Sequence, residues 1–409
     1  MLEQWKILLD GDHTETAWEE ITRLAEGLPA ERLDVLRDDL RGWTGKRAMP
    51  ERWWRESRRG DHHPWHALAD HYVLWRPGIR LDDDDAAAAE DEPHLEHGVV
   101  TAAVSSDLRW LVVAGERKGD HVGGDAGLWD VDAGSWRPLL IPGVDDRFSA
   151  GTAYDVEFSP DGSLVAIGMD TGGDRVRLGV WRTGDSELLW SAGPDDEADP
   201  WRFDPRDGSE VVVAFSGDGR RLVGVDTVAA DAGKGRVVVV EAATGDVLFS
   251  AGAHLHGPPV LDHAGERLAY LGQEGKLVIR AVPSGEVLVN RPVGESAAGP
   301  AFAPDGGTLA VGGEGAVALF RFGTAELERF EVSGERAAVK WTPQGLRVIH
   351  REGRRVTVTA GVDGEVLWSG RPDGLPSFTR AGTALITTRT GLNGGETAIW
   401  FLRAPETGI

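Results

Sequence analysis

The sequence predicts an all-β fold of repeated four-stranded units, preceded by a small α-helical domain. A recurring hairpin signature, further apolar runs after each hairpin, and helical spacing near the start of the chain support this prediction. The hairpin is clearest at residues 154–162, where apolar and polar side chains alternate before Ser-Pro-Asp-Gly and a second apolar run. Such alternation, closed by Pro-Asp-Gly, indicates two strands joined by a tight turn.

Related hairpins recur along the chain at irregular intervals. They lie at residues 102–107, 211–219, 260–265, 300–306, 339–345 and 377–382. With the first, these make seven copies, and the interval between turn glycines shortens from 57 residues (Gly162 to Gly219) to 37 residues (Gly345 to Gly382). Repeats of roughly 40–50 residues are typical of propellers and repeat arrays.

Each hairpin is followed by two further strand-like runs. The third runs include residues 126–134, 176–184, 237–245 and 277–285, and the fourth runs include residues 187–191, 246–250, 286–289 and 365–369. Four antiparallel strands per unit is the composition of a propeller blade. We therefore expect a seven-bladed β-propeller over residues 98–409, with units near 98–143, 152–193, 208–251, 257–293, 297–333, 335–370 and 373–409.

These residues resemble the WD40 and WD40-like bacterial β-propeller family. The resemblance lies in the Phe-Ser-Pro-Asp-Gly hairpin ending at Gly162, the Trp129-Asp130 pair closing a third strand, and the Thr-Gly-Asp and Ser-Gly-Glu turns. It covers about residues 98–409. Only the first unit keeps a Trp-Asp pair, so the looser bacterial version of the repeat is expected. The resemblance implies the propeller fold but does not specify a function.

The first 97 residues differ in character from the repeats. Residues 1–71 carry a capping-box pattern at Thr16 to Glu19 and amphipathic stripes, which predict a Trp-rich helical domain. Seven of the sixteen tryptophans lie in the first 80 residues, more than short helices can bury, so we expect this domain to dock on the propeller in cis or on a partner. Residues 72–80 are expected to supply the strand that closes the last blade, and residues 81–97 an acidic linker.

Composition limits the classes of partner and compartment. The net charge is −24, and residues 98–409 hold 44 acidic against 30 basic side chains, which argues against a nucleic-acid partner. The chain has no cysteine, no evident signal peptide and no apolar run long enough to span a membrane. A cytoplasmic, bacterial protein is expected.

No stretch carries a motif for catalysis, a cofactor or a metal. The histidine-rich segment from His62 to His71 places His66 and Asp70 at helical spacing, but a third zinc ligand is missing, so a structural role is expected. His254 and His256 could meet His121 and Asp120 at the channel mouth. Because no motif supports such a site, we expect no catalytic, cofactor-binding or metal-binding residues.

Long loops concentrate on one face of the expected ring. Loops between second and third strands are long in units 7, 1, 2 and 3, and the connections at 144–148 and 194–204 lie on the same face. Surface loops accept insertions cheaply, yet functional contacts also concentrate on them. The candidate partner contacts are Trp201, Arg202, Phe203, Asp120, His121, Asp174, Lys234 and Asn393.

Three functions are compatible with this pattern. The favoured one is a non-enzymatic bacterial scaffold or adaptor that binds a protein partner through the long loops of units 7, 1, 2 and 3. The first alternative is a sensor or accessory subunit of a bacterial defence or signalling assembly. The second is a propeller enzyme with a metal site in its central channel.

Overall fold

The structure is a computed structural model, and it describes the repeat region more fully than the start of the chain. The residues described are 71–75, 99–107, 109–115, 126–130, 135–139, 152–170, 176–192, 210–227, 235–253, 255, 257–294, 297–334, 336–342, 345–353, 355–362, 364–370, 375–378, 384–389 and 396–401, with Glu20 and Arg23, which are helical. The rest of the predicted helical domain and the acidic linker at 81–97 lie outside them.

The described strands form seven four-stranded antiparallel sheets, numbered here in chain order. The first strand, β1 (His71–Trp75), belongs to the last sheet. Sheet 1 contains β2 (Val99–Val104), β3 (Trp110–Gly115), β4 (Ala126–Asp130) and β5 (Ser135–Pro138). Sheet 2 contains β6 (Thr152–Phe158), β7 (Leu164–Asp170), β8 (Val176–Arg182) and β9 (Leu188–Ala192). Sheet 3 contains β10 (Glu210–Phe215), β11 (Arg221–Thr227), β12 (Gly235–Glu241) and β13 (Val247–Ala253).

The remaining sheets follow the same plan. Sheet 4 contains β14 (Val260–Leu261), β15 (Arg267–Gly272), β16 (Lys276–Ala281) and β17 (Val287–Pro292), with a 3-10 turn at Gln273–Gly275. Sheet 5 contains β18 (Gly299–Phe302), β19 (Thr308–Gly312), β20 (Ala316–Arg321) and β21 (Glu326–Glu331). Sheet 6 contains β22 (Arg336–Thr342), β23 (Gly345–Glu352), β24 (Arg355–Ala360) and β25 (Val366–Gly370). Sheet 7 contains β26 (Leu375–Phe378), β27 (Ala384–Arg389), β28 (Glu396–Phe401) and β1.

The core lies between neighbouring sheets, because strand residues alternate between the two faces of each sheet. In sheet 2, Phe158, Ile167 and Trp181 pack against the buried side chains of sheet 1, while Leu178 and Val180 pack against sheet 3. The first strand of each sheet contacts the first strand of the next from sheet 1 to sheet 6, and β2 also contacts β27 of sheet 7. This succession is the arrangement of an all-β propeller.

Sheet 7 combines the two ends of the repeat region. Six sheets are built from four consecutive strands, whereas sheet 7 takes its outer strand from β1. The antiparallel register of β1 and β28 pairs His71 with Trp400 and Tyr72 with Ile399. The chain segment that precedes the repeats therefore pairs with the last described strand.

The two ends of the propeller differ in the connections they carry. We call the turn end the one with the tight turns between first and second strands and between third and fourth strands. The loop end carries the other connections: the loops between second and third strands, and the segments that lead from one sheet to the next. Among the described residues, no helix combines the length and apolar character needed to cross a membrane.

Candidate interaction surface

The contact residues predicted from the sequence lie outside the part of the chain that the structure describes. Trp201, Arg202, Phe203, Asp120, His121, Asp174, Lys234 and Asn393 all lie outside the described residues, as do His254 and His256. They therefore remain predictions. The described residues do define the turn end, the joints between sheets and part of the loop end.

At the turn end, hydrogen bonds within the turns of sheets 1 to 3 occupy serine and aspartate side chains. In sheet 2, the Ser159 hydroxyl donates to Asp161 Oδ1 at 2.6 Å and accepts the backbone N–H of Leu164 at 2.9 Å. The N–H of Ser163 donates to the same Asp161 oxygen at 3.0 Å. Burial alone would raise the pKa of Asp161, but these bonds outweigh it and hold the pKa below its usual value.

The same serine–aspartate turn occurs in two neighbouring sheets. Ser105 donates to Asp107 at 2.5 Å in sheet 1, and Ser216 donates to Asp218 at 2.7 Å in sheet 3. In sheet 4 an aspartate takes the serine's place, and Asp262 instead pairs with Arg267 at 2.6 Å. The sequence analysis recognised these segments as turns without identifying this side-chain pairing.

Turns of adjacent sheets also bond to each other. The Ser106 hydroxyl donates to the Pro160 carbonyl at 3.0 Å, and the backbone N–H of Asp218 donates to the His263 carbonyl at 2.8 Å. Arg221 Nη1 reaches the Gly265 carbonyl at 2.8 Å. The turn end therefore uses many of its polar groups to join one sheet to the next.

Outer strands form a second set of joints between sheets. Arg137 in β5 donates to the Gly184 carbonyl at 2.8 Å, and Trp190 Nε1 in β9 donates to the Ala242 carbonyl at 2.8 Å. Arg291 in β17 makes the same kind of bond to the Ala325 carbonyl at 2.8 Å. In each case the acceptor lies in the turn before the fourth strand of the next sheet. These bonds fix the angle between neighbouring sheets.

The loop end contains a cavity of about 270 Å³ between sheet 5 and the connection that leads to it from sheet 4. Its apolar lining includes Val293, Val311 and Ala318, and the backbone of Gly312 and Gly313 forms another part of the wall. The connection from sheet 4 to sheet 5 borders it and is held by two backbone bonds, Val293 N–H to Gly275 O at 2.9 Å and Ala298 N–H to Gly312 O at 2.7 Å. The cavity is therefore bounded by ordered backbone.

Two charged side chains line this cavity. Arg329 comes from β21 and Glu314 from the turn between β19 and β20. Arg329 is exposed, and no carboxylate in the described part of the chain pairs with it, whereas Glu314 has an interaction of its own. A cation beside an apolar recess suits a ligand group that combines apolar surface with negative charge.

The described residues offer no metal-binding cluster. No three histidine, aspartate or glutamate side chains within them are grouped so as to hold an ion. The buried His350 uses both ring nitrogens in hydrogen bonds, to the Ser333 carbonyl at 3.1 Å and to Thr359 Oγ1 at 3.0 Å. Its surroundings are those of a structural residue.

Comparison with known proteins identifies the fold. No protein family matches the chain, and no curated protein matches it. Many solved structures are similar in fold. One, from a crystal structure of a mitotic checkpoint complex, has a TM-score of 0.53 and 15% sequence identity over 75% of this chain and 86% of that chain. At this identity the likeness establishes the fold alone, an all-β propeller.

Proposed function

We propose that this protein is a non-enzymatic scaffold that binds a protein partner through the loop end of its propeller. The observation that carries this proposal is the cavity at the loop end. Polar groups of the described turns are engaged in bonds within and between sheets, whereas the described part of the loop end presents a bordered cavity and Arg329, with which no described carboxylate pairs. Propellers of this type commonly serve as rigid platforms for protein–protein interaction.

The partner is expected to be a protein with an apolar and acidic contact segment. The cavity volume of about 270 Å³ accommodates one or two side chains, and Arg329 favours a carboxylate beside them. The long loops predicted for the same end would extend the contact surface through Trp201, Arg202, Phe203, Asp120, His121, Asp174, Lys234 and Asn393. The acidic composition disfavours nucleic acid as the partner.

The wider arrangement is part of the same proposal. The seven sheets would be the blades of one closed ring, with β1 completing the last blade and residues 1–71 docking on its flank in cis. A rigid ring loses little conformational entropy when it binds, which is the physical advantage of a scaffold. We place the protein in the bacterial cytoplasm because it has no cysteine and its repeats resemble bacterial ones.

Affinity capture from the native host tests the proposed function. The wild-type chain would be compared with Arg329→Ala and with a triple variant changing Trp201, Arg202 and Phe203 to alanine. Arg220→Ala is the matched control, because its side chain is 83% exposed at the turn end. A specific partner should be retained by the control and reduced at least about tenfold in one or both loop-end variants. Equal recovery by all four proteins would place binding elsewhere and refute the proposal.

A further inference from the structure

Sheet 5 differs from the two sheets before it at one row of side chains. The backbone bond that closes the turn between first and second strands aligns sheets 3, 4 and 5 with one another, and the strand registers extend this alignment to the outer strands. The equivalent residues of the third and fourth strands are Val238 and Ser250 in sheet 3, Val278 and Asn290 in sheet 4, and Ala318 and Arg329 in sheet 5. Of these three sheets, only sheet 5 combines a smaller apolar residue with a cation.

This row lies on the face of sheet 5 that is turned toward sheet 4. Val311 and Ala318 share an apolar core with Leu271 of sheet 4. The strand register pairs Val311 with Ala318, and Ala318 with Arg329. Directly opposite residues of an antiparallel pair share one face of the sheet, with Cβ atoms about 5 Å apart. The Arg329 side chain therefore begins beside the apolar wall of the cavity at the loop end.

The Arg329 guanidinium extends from this row to the connection that borders the cavity. A Cβ placed on Gly294 would lie 3.8 Å from Arg329 Nη1, so the guanidinium lies close to that connection. Gly294 has a φ of 132°, a backbone conformation that favours glycine, and it places no side chain in front of the cation. Arg329 is exposed, and no carboxylate within the described ranges pairs with it. Its charge is therefore accessible to a ligand in the cavity.

The size and charge of the cavity limit the ligand that it can hold. Its volume of about 270 Å³ lies just below the range of about 300–1,000 Å³ that is typical of pockets for drug-sized ligands. Glu314, in the turn between β19 and β20, adds a negative charge to the lining, which disfavours a second carboxylate in the ligand. A group with one carboxylate and one compact apolar part satisfies both limits.

We propose that this cavity binds the C-terminal residue of the protein partner, with the terminal carboxylate on Arg329 and a small branched side chain against Val311 and Ala318. The inference rests on the scaffold function proposed above and specifies which part of the partner is bound. In an extended internal segment, successive side chains point to opposite sides, and the next one on the same side is about 7 Å away. In a C-terminal residue the carboxylate and the side chain leave the same Cα, which suits a cation that begins about 5 Å from the apolar wall.

Ligand-detected NMR titrations of the full chain with short peptides test this inference. Acetyl-Gly-Ser-Gly-Val with a free C-terminus should bind with a Kd on the order of 1 mM, as expected for one anchored residue. Its C-terminal amide should bind at least about tenfold more weakly, because it lacks the charge that Arg329 recognises. The amide of acetyl-Gly-Ser-Glu-Gly tests an internal carboxylate, and isovalerate tests a free acid. Equal binding by the internal glutamate, or tighter binding by isovalerate than by the free peptide, would overturn the C-terminal assignment.

Three variants locate the site. Arg329→Gln removes the charge and should weaken binding of the free peptide about tenfold. Ala318→Val introduces the side chain that Val278 has at the equivalent position of sheet 4, and it should weaken binding to a similar degree because it fills part of the cavity. Arg321→Gln is the matched control and should bind normally: Arg321 is exposed in the same sheet, and it follows Phe320 of the shared core, so it points to the opposite face.

The outcomes distinguish this inference from the proposed function. Undiminished binding by either cavity variant, or no binding of the free peptide by the wild type, would overturn the inference. The comparison of the free peptide with its amide uses the wild type alone, so it decides even where a variant fails to fold. Capture of a partner that is lost only in the triple variant of Trp201, Arg202 and Phe203 would then leave the proposed function standing without a C-terminal site.

Discussion

The clearest pH-sensitive group among the described residues is His350 in β23. It is buried, its Nδ1–H donates to the Ser333 carbonyl at 3.1 Å, and Nε2 lies 3.0 Å from Thr359 Oγ1. Burial lowers the pKa of His350, and the bond to Ser333 offsets this only in part. The folded protein therefore holds the neutral ring more strongly than the unfolded chain does.

Stability should consequently fall when the pH drops below the ordinary histidine pKa of 6.5. In that range the unfolded chain takes up a proton that the folded chain resists, which costs at most about 1.4 kcal/mol per pH unit. The contribution is fully present above pH 6.5. Urea unfolding at pH 7.5 and pH 5.5 would be compared between wild type and His350→Gln. The wild type should lose more stability on acidification than the variant; identical losses would show that His350 is not responsible.

Replacing the buried serine of the serine–aspartate turn should reduce stability more than replacing its exposed neighbour. Ser159 is buried and bonds both Asp161 and the Leu164 N–H, and its removal leaves that N–H without its side-chain acceptor. Ser159→Ala is expected to destabilise the protein by about 1–2 kcal/mol. Ser163→Ala is the control, since Ser163 is exposed and also contacts Asp161. Chemical denaturation measures the free energy of unfolding of both variants. A larger loss of stability in Ser163→Ala than in Ser159→Ala would contradict the structural role of Ser159.

At the scale of strands and sheets, some neighbouring sheets approach each other so closely that only glycine fits at the contact. A Cβ on Gly168 in β7 would lie 2.5 Å from the Val211 carbonyl oxygen in β10 of the next sheet. Gly168→Ala must therefore push sheets 2 and 3 apart and is expected to cost about 1–3 kcal/mol. At Gly252 in the outer strand β13, a Cβ meets nothing within 4 Å, so Gly252→Ala should be near neutral. The unfolding midpoints of the two variants should be compared with that of the wild type. Equal effects would argue against a tight contact between sheets 2 and 3 at Gly168.

The strand pattern was well predicted because it depends on local alternation. The third strand of sheet 1 was expected from Ala126 and is observed at Ala126–Asp130, and the fourth strand of sheet 2 begins at Leu188, one residue later than expected. The resemblance also drew attention to Asp130, which is buried and pairs with Arg109 at 2.9 Å. Local sequence determines such elements because each hairpin carries its own turn residues.

The candidate sites could not be predicted in the same way. The cavity beside Arg329 depends on how sheet 5 meets the connection from sheet 4. It has no signature in a single sequence, since an arginine within an alternating strand ordinarily indicates an exposed face. The predicted contacts on the long loops remain predictions, because those loops lie outside the described residues.

At the scale of the whole molecule, the repeated joints would give the proposed scaffold its rigidity. Neighbouring sheets share apolar cores, turn-to-turn bonds and outer-strand bonds, so displacement of one sheet disturbs several interactions at once. A partner bound at the loop end would therefore contact a surface whose geometry is set by the entire ring.

Closure of that ring is expected to depend on β1. Its pairing with β28 covers a strand that would otherwise present an open edge, which destabilises a sheet and promotes aggregation. Two truncations isolate this effect: one lacks residues 1–70 and keeps β1, and the other lacks residues 1–76 and loses it. The second should unfold about 5–10 °C below the first, because a lost strand removes several hydrogen bonds. It should also aggregate more readily in light scattering. Equal unfolding temperatures for the two truncations would mean that β1 does not hold the ring closed.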